Sequence, residues 1–142
     1  MIRNLINQSI ALFERIPYDV IAILSRIGIG TVFFRPGLLK VEGWSSGTTV
    51  ALFREEYKLP LISPELAAYM GTAMELAMPI LLFVGLFTRF AAFALLIMTL
   101  VIQIFVYPNA FDTHATWAVC FLILIKYGAG TFSLDHLIKR MS

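Results

Sequence analysis

The chain has 142 residues, 59% of them hydrophobic and only 14% charged, with a mean hydropathy of +0.83. A soluble domain carries about a quarter charged residues, so this balance cannot cover a water-facing surface and lipid is the expected solvent. A net charge of +2 without a basic run gives no footing for nucleic acid, and the single Cys120 excludes an intrachain disulfide and a Cys-x-x-Cys exchange pair.

In chain order, Met1 to Pro17 lacks the small-residue exit site of a cleavable signal and is read as part of the mature protein. Ile2, Leu5, Ile6, Ser9, Phe13 and Ile16 roughly align on one helical face, which suits a helix lying on the membrane. Four apolar stretches follow, each near the roughly 20 residues that a membrane-crossing helix needs. They run from Asp19 to about Val41, Leu66 to Thr88, Phe90 to Tyr107, and Ala115 to Leu134. None shows the period-2 alternation of a strand. The expected fold is all-α: a membrane four-helix bundle in a single domain spanning residues 1–142.

The connections differ in kind. Between the first two spans, Val50, Phe53 and Tyr57 share one helical face, with Arg54, Glu55 and Glu56 opposite. That pattern predicts a short amphipathic surface helix, with Trp44 at headgroup level. Arg89 marks a tight turn between the second and third spans. Pro108 cannot continue the third helix, and Asp112 or Thr113 is placed to cap the fourth. Lys and Arg near the spans favour an orientation with both termini cytoplasmic, because Arg3, Arg15, Arg89, Lys139 and Arg140 then share one side.

Ionisable groups inside a span are costly and mark candidate sites. Here they are Arg26, Arg35, Glu75 and Lys126, with Gln103 as a neutral companion. The helical rise puts Glu75 roughly 15 Å and Lys126 roughly 16 Å from the outer ends of their spans, and Gln103 about 20 Å from the inner end of its own. Three helices thus contribute polar groups at one expected level, which Arg26 and Arg35 approach from opposite sides. Arg26, Gly30, Phe33, Gly37 and Lys40 form one stripe on the first span, and Gly71, Glu75 and Pro79 another on the second. Small residues in such stripes allow close helix approach.

Two interpretations of the polar layer compete. Glu75 is either a buried counter-ion of Arg26, Arg35 or Lys126, or one carboxylate among three cations in a positive cavity suited to a small anion or a quinone carbonyl. His114 is an interfacial residue beside Trp117 or a proton donor at the cavity mouth. His136 lies at the opposite face, so the two histidines cannot jointly hold a metal or haem, and no other ligand spacing suggests a metal. Cys120 is read as packing.

The sequence Arg26-Ile-Gly28-Ile-Gly30-Thr-Val-Phe33, followed by Gly37-Leu-Leu-Lys40, resembles the DoxX family of small four-helix bacterial membrane proteins. So do Glu75 with Pro79, Gly85-Leu-Phe-Thr88-Arg89, His114, and the closing Ser133-Leu134-Asp135. The resemblance covers nearly the whole chain. It implies a membrane accessory of an oxidoreductase system, with quinone as ligand and no intrinsic cofactor. A protein partner, a redox enzyme or assembly factor, would then be required, because the chain carries no electron carrier of its own. A carrier or channel for a small solute, or a structural subunit, are the alternatives, and the lipid-facing surface leaves room for a homodimer.

Overall fold

The computed structural model describes residues 2–142, and all regular structure among them is helical. The helices are α1 (Ile2–Phe13), α2 (Tyr18–Glu42), α3 (Thr48–Leu52), α4 (Pro64–Val84), α5 (Thr88–Val101), α6 (Phe111–Tyr127) and α7 (Leu134–Met141). Two π-helical turns, Phe53–Tyr57 and Ile102–Val106, extend α3 and α5.

Local chemistry sets the boundaries. Ser63 accepts a hydrogen bond from the Leu66 amide and Pro64 takes the first helical position, so α4 begins there. α4 stops at Val84 rather than at the expected Thr88, because Gly85 adopts a left-handed φ of 69° and closes the helix. α6 begins at Phe111 with no side-chain cap, so neither Asp112 nor Thr113 caps it as expected. It ends at Tyr127 instead of Leu134, since Gly128 and Gly130 take φ of 85° and 80°.

Among the described residues, three helical stretches are long and apolar enough to cross a membrane: Tyr18–Glu42, Pro64–Val84 and Thr88–Val106. The all-α, multi-span membrane architecture is therefore as expected, but the spans of sufficient length number three. α6 has 17 residues and is not among them.

α2 packs against α4 and α6, and α5 packs against the same two helices. Their shared core holds Ile29, Phe33, Leu82, Ala91, Ala92, Leu95, Phe121 and Leu124. Phe33 is the hub, with ring centroids 5.3 Å from Trp117 and 5.7 Å from Phe121. Most large apolar side chains elsewhere on these helices face outward, as a lipid-solvated bundle requires.

The segment between α2 and α4 carries the expected helix, but its apolar face meets protein rather than the membrane surface. Phe53 is buried against Ala67 and Ala68 of α4, with Val50 and Tyr57 beside it. Gly71 makes room for it: a Cβ there would lie 3.0 Å from the Phe53 ring. α1 has no buried residue.

Candidate functional site

The stripe on α2 is buried as its spacing foretells, including Arg26, Gly30, Phe33, Gly37 and Lys40. Its two cations have separate destinations. Lys40 Nζ donates to both Glu75 oxygens, at 2.9 and 2.7 Å, and both side chains are buried. Gly37 permits the approach, since a Cβ on it would lie 3.0 Å from the Glu75 Cβ. The partner of Glu75 is thus Lys40, and not Arg26, Arg35 or Lys126.

Arg26 lies at the other end of α2. Its guanidinium donates to four backbone carbonyls: Leu82 at 2.7 Å, Phe83 at 2.8 Å, Ala129 at 3.0 Å and Phe132 at 2.8 Å. These carbonyls stand at the end of α4, where the helix dipole favours a cation, and in the loop after α6. The two outcomes share one cause. Side chains lean toward the N-terminus of their own helix. Arg26 therefore leans away from Glu75, Lys40 leans inward, and Glu75 on antiparallel α4 leans toward Lys40.

The remaining candidates do not gather at mid-membrane. Arg35 is exposed. Lys126 is exposed in the last turn of α6, its Nζ 4.9 Å from the Tyr127 ring centroid. Gln103 sits in the second π-helical turn, where its Nε2 donates to the Pro108 carbonyl at 2.7 Å. Its Oε1 then faces His114 Nδ1 at 2.6 Å, so Nδ1 carries the proton and donates. His114 is buried beside Trp117. The expected excess of three cations around one carboxylate is therefore absent, and with it the case for a small-anion cavity at this level.

Glu75 instead borders a cavity of about 210 Å³ between α4, α5 and the two π-helical turns. Its wall is apolar, lined by Met70, Met74 and Met98 together with Ile97, Val101 and Ile102. Unbranched thioether side chains adapt readily to a guest. Tyr57 and Tyr107 stand at one side, their rings edge-on with centroids 6.1 Å apart. Tyr107 donates its hydroxyl proton to Glu56. Burial pushes the Tyr57 hydroxyl well above the usual tyrosine range, reinforced by the neighbouring Tyr107 and Glu75. Tyr107 is raised by its bond to Glu56 and then by burial. Both are neutral hydrogen-bond donors at ordinary pH.

Sequence reasoning passed over Lys40, Tyr57 and Tyr107 as site residues. Lys40 was discoverable, because it ends the same buried stripe that singles out Arg26. Among the described residues, no group of three or more His, Cys, Asp or Glu could hold a metal.

The fold and site define a multi-span helical membrane protein with a buried lysine–glutamate pair at the wall of a small apolar cavity. Residues 21–108 match the family model described as DoxX, and the chain belongs to that family. It is also 30% identical, over 129 residues, to a Haemophilus influenzae (strain ATCC 51907 / DSM 11121 / KW20 / Rd) chain designated "Uncharacterized protein". That alignment covers 84% of this chain and 83% of the relative. No solved structure matches.

Proposed function

We propose that this protein is a bacterial inner-membrane subunit that binds the ring of a quinone, or a similar lipid-soluble carbonyl compound, in the cavity beside Glu75. The observation that carries this is the cavity's make-up: apolar walls with a single carboxylate and two neutral phenols. A volume of about 210 Å³ falls below the roughly 300 Å³ at which pockets for whole drug-sized ligands begin. It suits a headgroup whose tail stays outside, and Met70 and Ile97 at its margin are exposed toward lipid. A ligand carbonyl would accept from Tyr57, since Tyr107 gives its one hydroxyl proton to Glu56, and a quinol hydroxyl would donate to Glu75. Electrons must come from and go to a protein partner, either a redox enzyme or a factor that assembles one.

In this arrangement α6 makes a fourth crossing. It runs from the Gln103–His114 contact at one end to Tyr18 at the other, where the Tyr18 hydroxyl donates to the Gly128 carbonyl at 2.6 Å. Both termini then lie on the cytoplasmic side with Arg89, Lys139 and Arg140.

The test is the quinone content of protein purified in mild detergent, measured by solvent extraction and chromatography. Bound quinone that falls on Glu75→Gln or Tyr57→Phe, with the fold intact, supports the reading. Folded wild-type protein that takes up no quinone from quinone-loaded vesicles overturns it. So does solute flux through vesicles carrying this chain alone, which would identify a carrier.

A further inference from the structure

A second cleft, of about 680 Å³, opens at the end of the bundle opposite α3. It is formed by the starts of α2 and α5, the loop after α6, and α7. We propose that this cleft binds the phosphate of an anionic phospholipid, held by Arg89 and Lys139.

The charges divide unequally between engaged and free. The cleft's two carboxylates each accept two hydrogen bonds from neighbouring neutral donors. Asp19 accepts from the Thr131 amide at 2.6 Å and from its hydroxyl at 2.5 Å. Asp135 accepts from the Phe87 and Thr88 amides at 2.8 and 2.9 Å, which closes the start of α5. The cations are open. Arg89 uses Nη1 on the Ile125 carbonyl at 3.0 Å, and its Nη2 and Nε lie beside Gly128 in the cleft lining. The two ion pairs among the described residues, Lys40–Glu75 and Arg54–Glu65, involve neither Arg89, Lys139 nor His136. Five donors on a planar guanidinium and three on an ammonium match the oxygens of a phosphate.

The surroundings select a lipid over free phosphate. Phe87, Phe90 and Tyr127 rim the cleft and are exposed. α7 presents Leu137, Ile138 and Met141 outward on one amphipathic helix whose last turn holds Lys139 and Arg140. Such a helix lies in the headgroup boundary with its apolar face in the acyl region, which sets Lys139 at phosphate depth. Acyl chains would follow the exposed aromatic rim.

The experiment is lipid retention by native mass spectrometry of the purified chain taken from nanodiscs of phosphatidylcholine with graded phosphatidylglycerol. Wild type should keep one phosphatidylglycerol per chain. Lys139→Ala and Arg89→Gln should each weaken retention about fivefold, the value of one cation at a membrane surface. Arg140→Ala, outside the cleft lining, should leave it unchanged. Thermal melts separate misfolding from lost binding, and the exposed Lys139→Ala keeps the test open if Arg89→Gln does not fold. Equal losses in all three variants, or retention unchanged in Lys139→Ala, overturn the proposal. Inorganic phosphate that displaces the lipid or protects the fold equally well overturns the choice of a lipid.

Discussion

Lys40 on α2 clasps both oxygens of Glu75 on α4, at 2.9 and 2.7 Å, in a setting that excludes most water. The contact joins the two helices that pack most extensively, and it sets their register where Gly37 lets the backbones draw together. Once formed, such a pair resists partial change. Removing one partner leaves an uncompensated buried charge, which costs about 3–5 kcal/mol, whereas replacing both can be close to neutral.

Lys40→Met and Glu75→Leu should therefore each lower the unfolding free energy by about 3 kcal/mol or more, while the double substitution recovers most of the loss. A double-mutant cycle in detergent, followed by helical circular dichroism, measures the coupling. Additive losses would show that the two groups do not depend on each other.

Arg26 staples two helix ends, its guanidinium held by four backbone carbonyls. Arg26→Lys keeps the charge but cannot reach four carbonyls at once. With charge-assisted bonds worth about 1.5–3 kcal/mol each, its stability should fall by about 3 kcal/mol. The quinone bound per folded molecule should stay the same. A selective loss of quinone with the melting temperature unchanged would return Arg26 to the site.

Glycines at different positions should respond in opposite directions to alanine. A Cβ on Gly85 would lie 2.5 Å from the Ser133 Cβ and 2.8 Å from the Arg26 guanidinium, at a φ of 69°. Gly85→Ala should be strongly destabilising, by about 2 kcal/mol or more. Nothing lies within 4 Å of a Cβ on Gly28, so Gly28→Ala should gain up to about 1 kcal/mol from helix propensity. Paired melts of the two variants check the contrast.

The tyrosines predict a pH window. The folded Tyr57 hydroxyl titrates above its ordinary value of 10.0 because burial disfavours the phenolate. A raised folded value contributes stability that is complete below the unfolded value and lost as pH rises past it. Stability and quinone retention should therefore be independent of Tyr57 ionisation up to about pH 9 and weaken above pH 10. Tyrosinate absorbance should show a late-titrating tyrosine that disappears in Tyr57→Phe. A titration with every tyrosine near the ordinary value would contradict the burial of Tyr57.

Much of the architecture was legible from composition and periodicity. Apolar runs with few charges admit only helices in lipid, because every backbone group must be satisfied within its own segment. The buried stripe from Arg26 to Lys40 and the apolar face shared by Val50, Phe53 and Tyr57 follow from 3.6-residue spacing alone, but not that the latter face packs on α4. The family was legible too, from short motifs in order along the chain. Helix ends were less so. Gly85 and Gly128 end α4 and α6 earlier than hydropathy suggests, which moves Lys126 from mid-membrane to the end of its helix.

What only the tertiary structure decided is who meets whom. The sequence by itself determined that Glu75, Arg26 and Lys40 sit on helical faces turned inward. Depth counted along each helix then put Glu75, Gln103 and Lys126 near one level, with Arg26 and Arg35 approaching it from opposite sides. It omitted the lean of side chains toward their own N-terminus, the π-helical turn that carries Gln103 to His114, and the carbonyls at helix ends that attract Arg26. Those are properties of helices in contact. They assign Glu75 to Lys40 and leave the apolar cavity, rather than a cluster of cations, as the place beside it where a ligand fits.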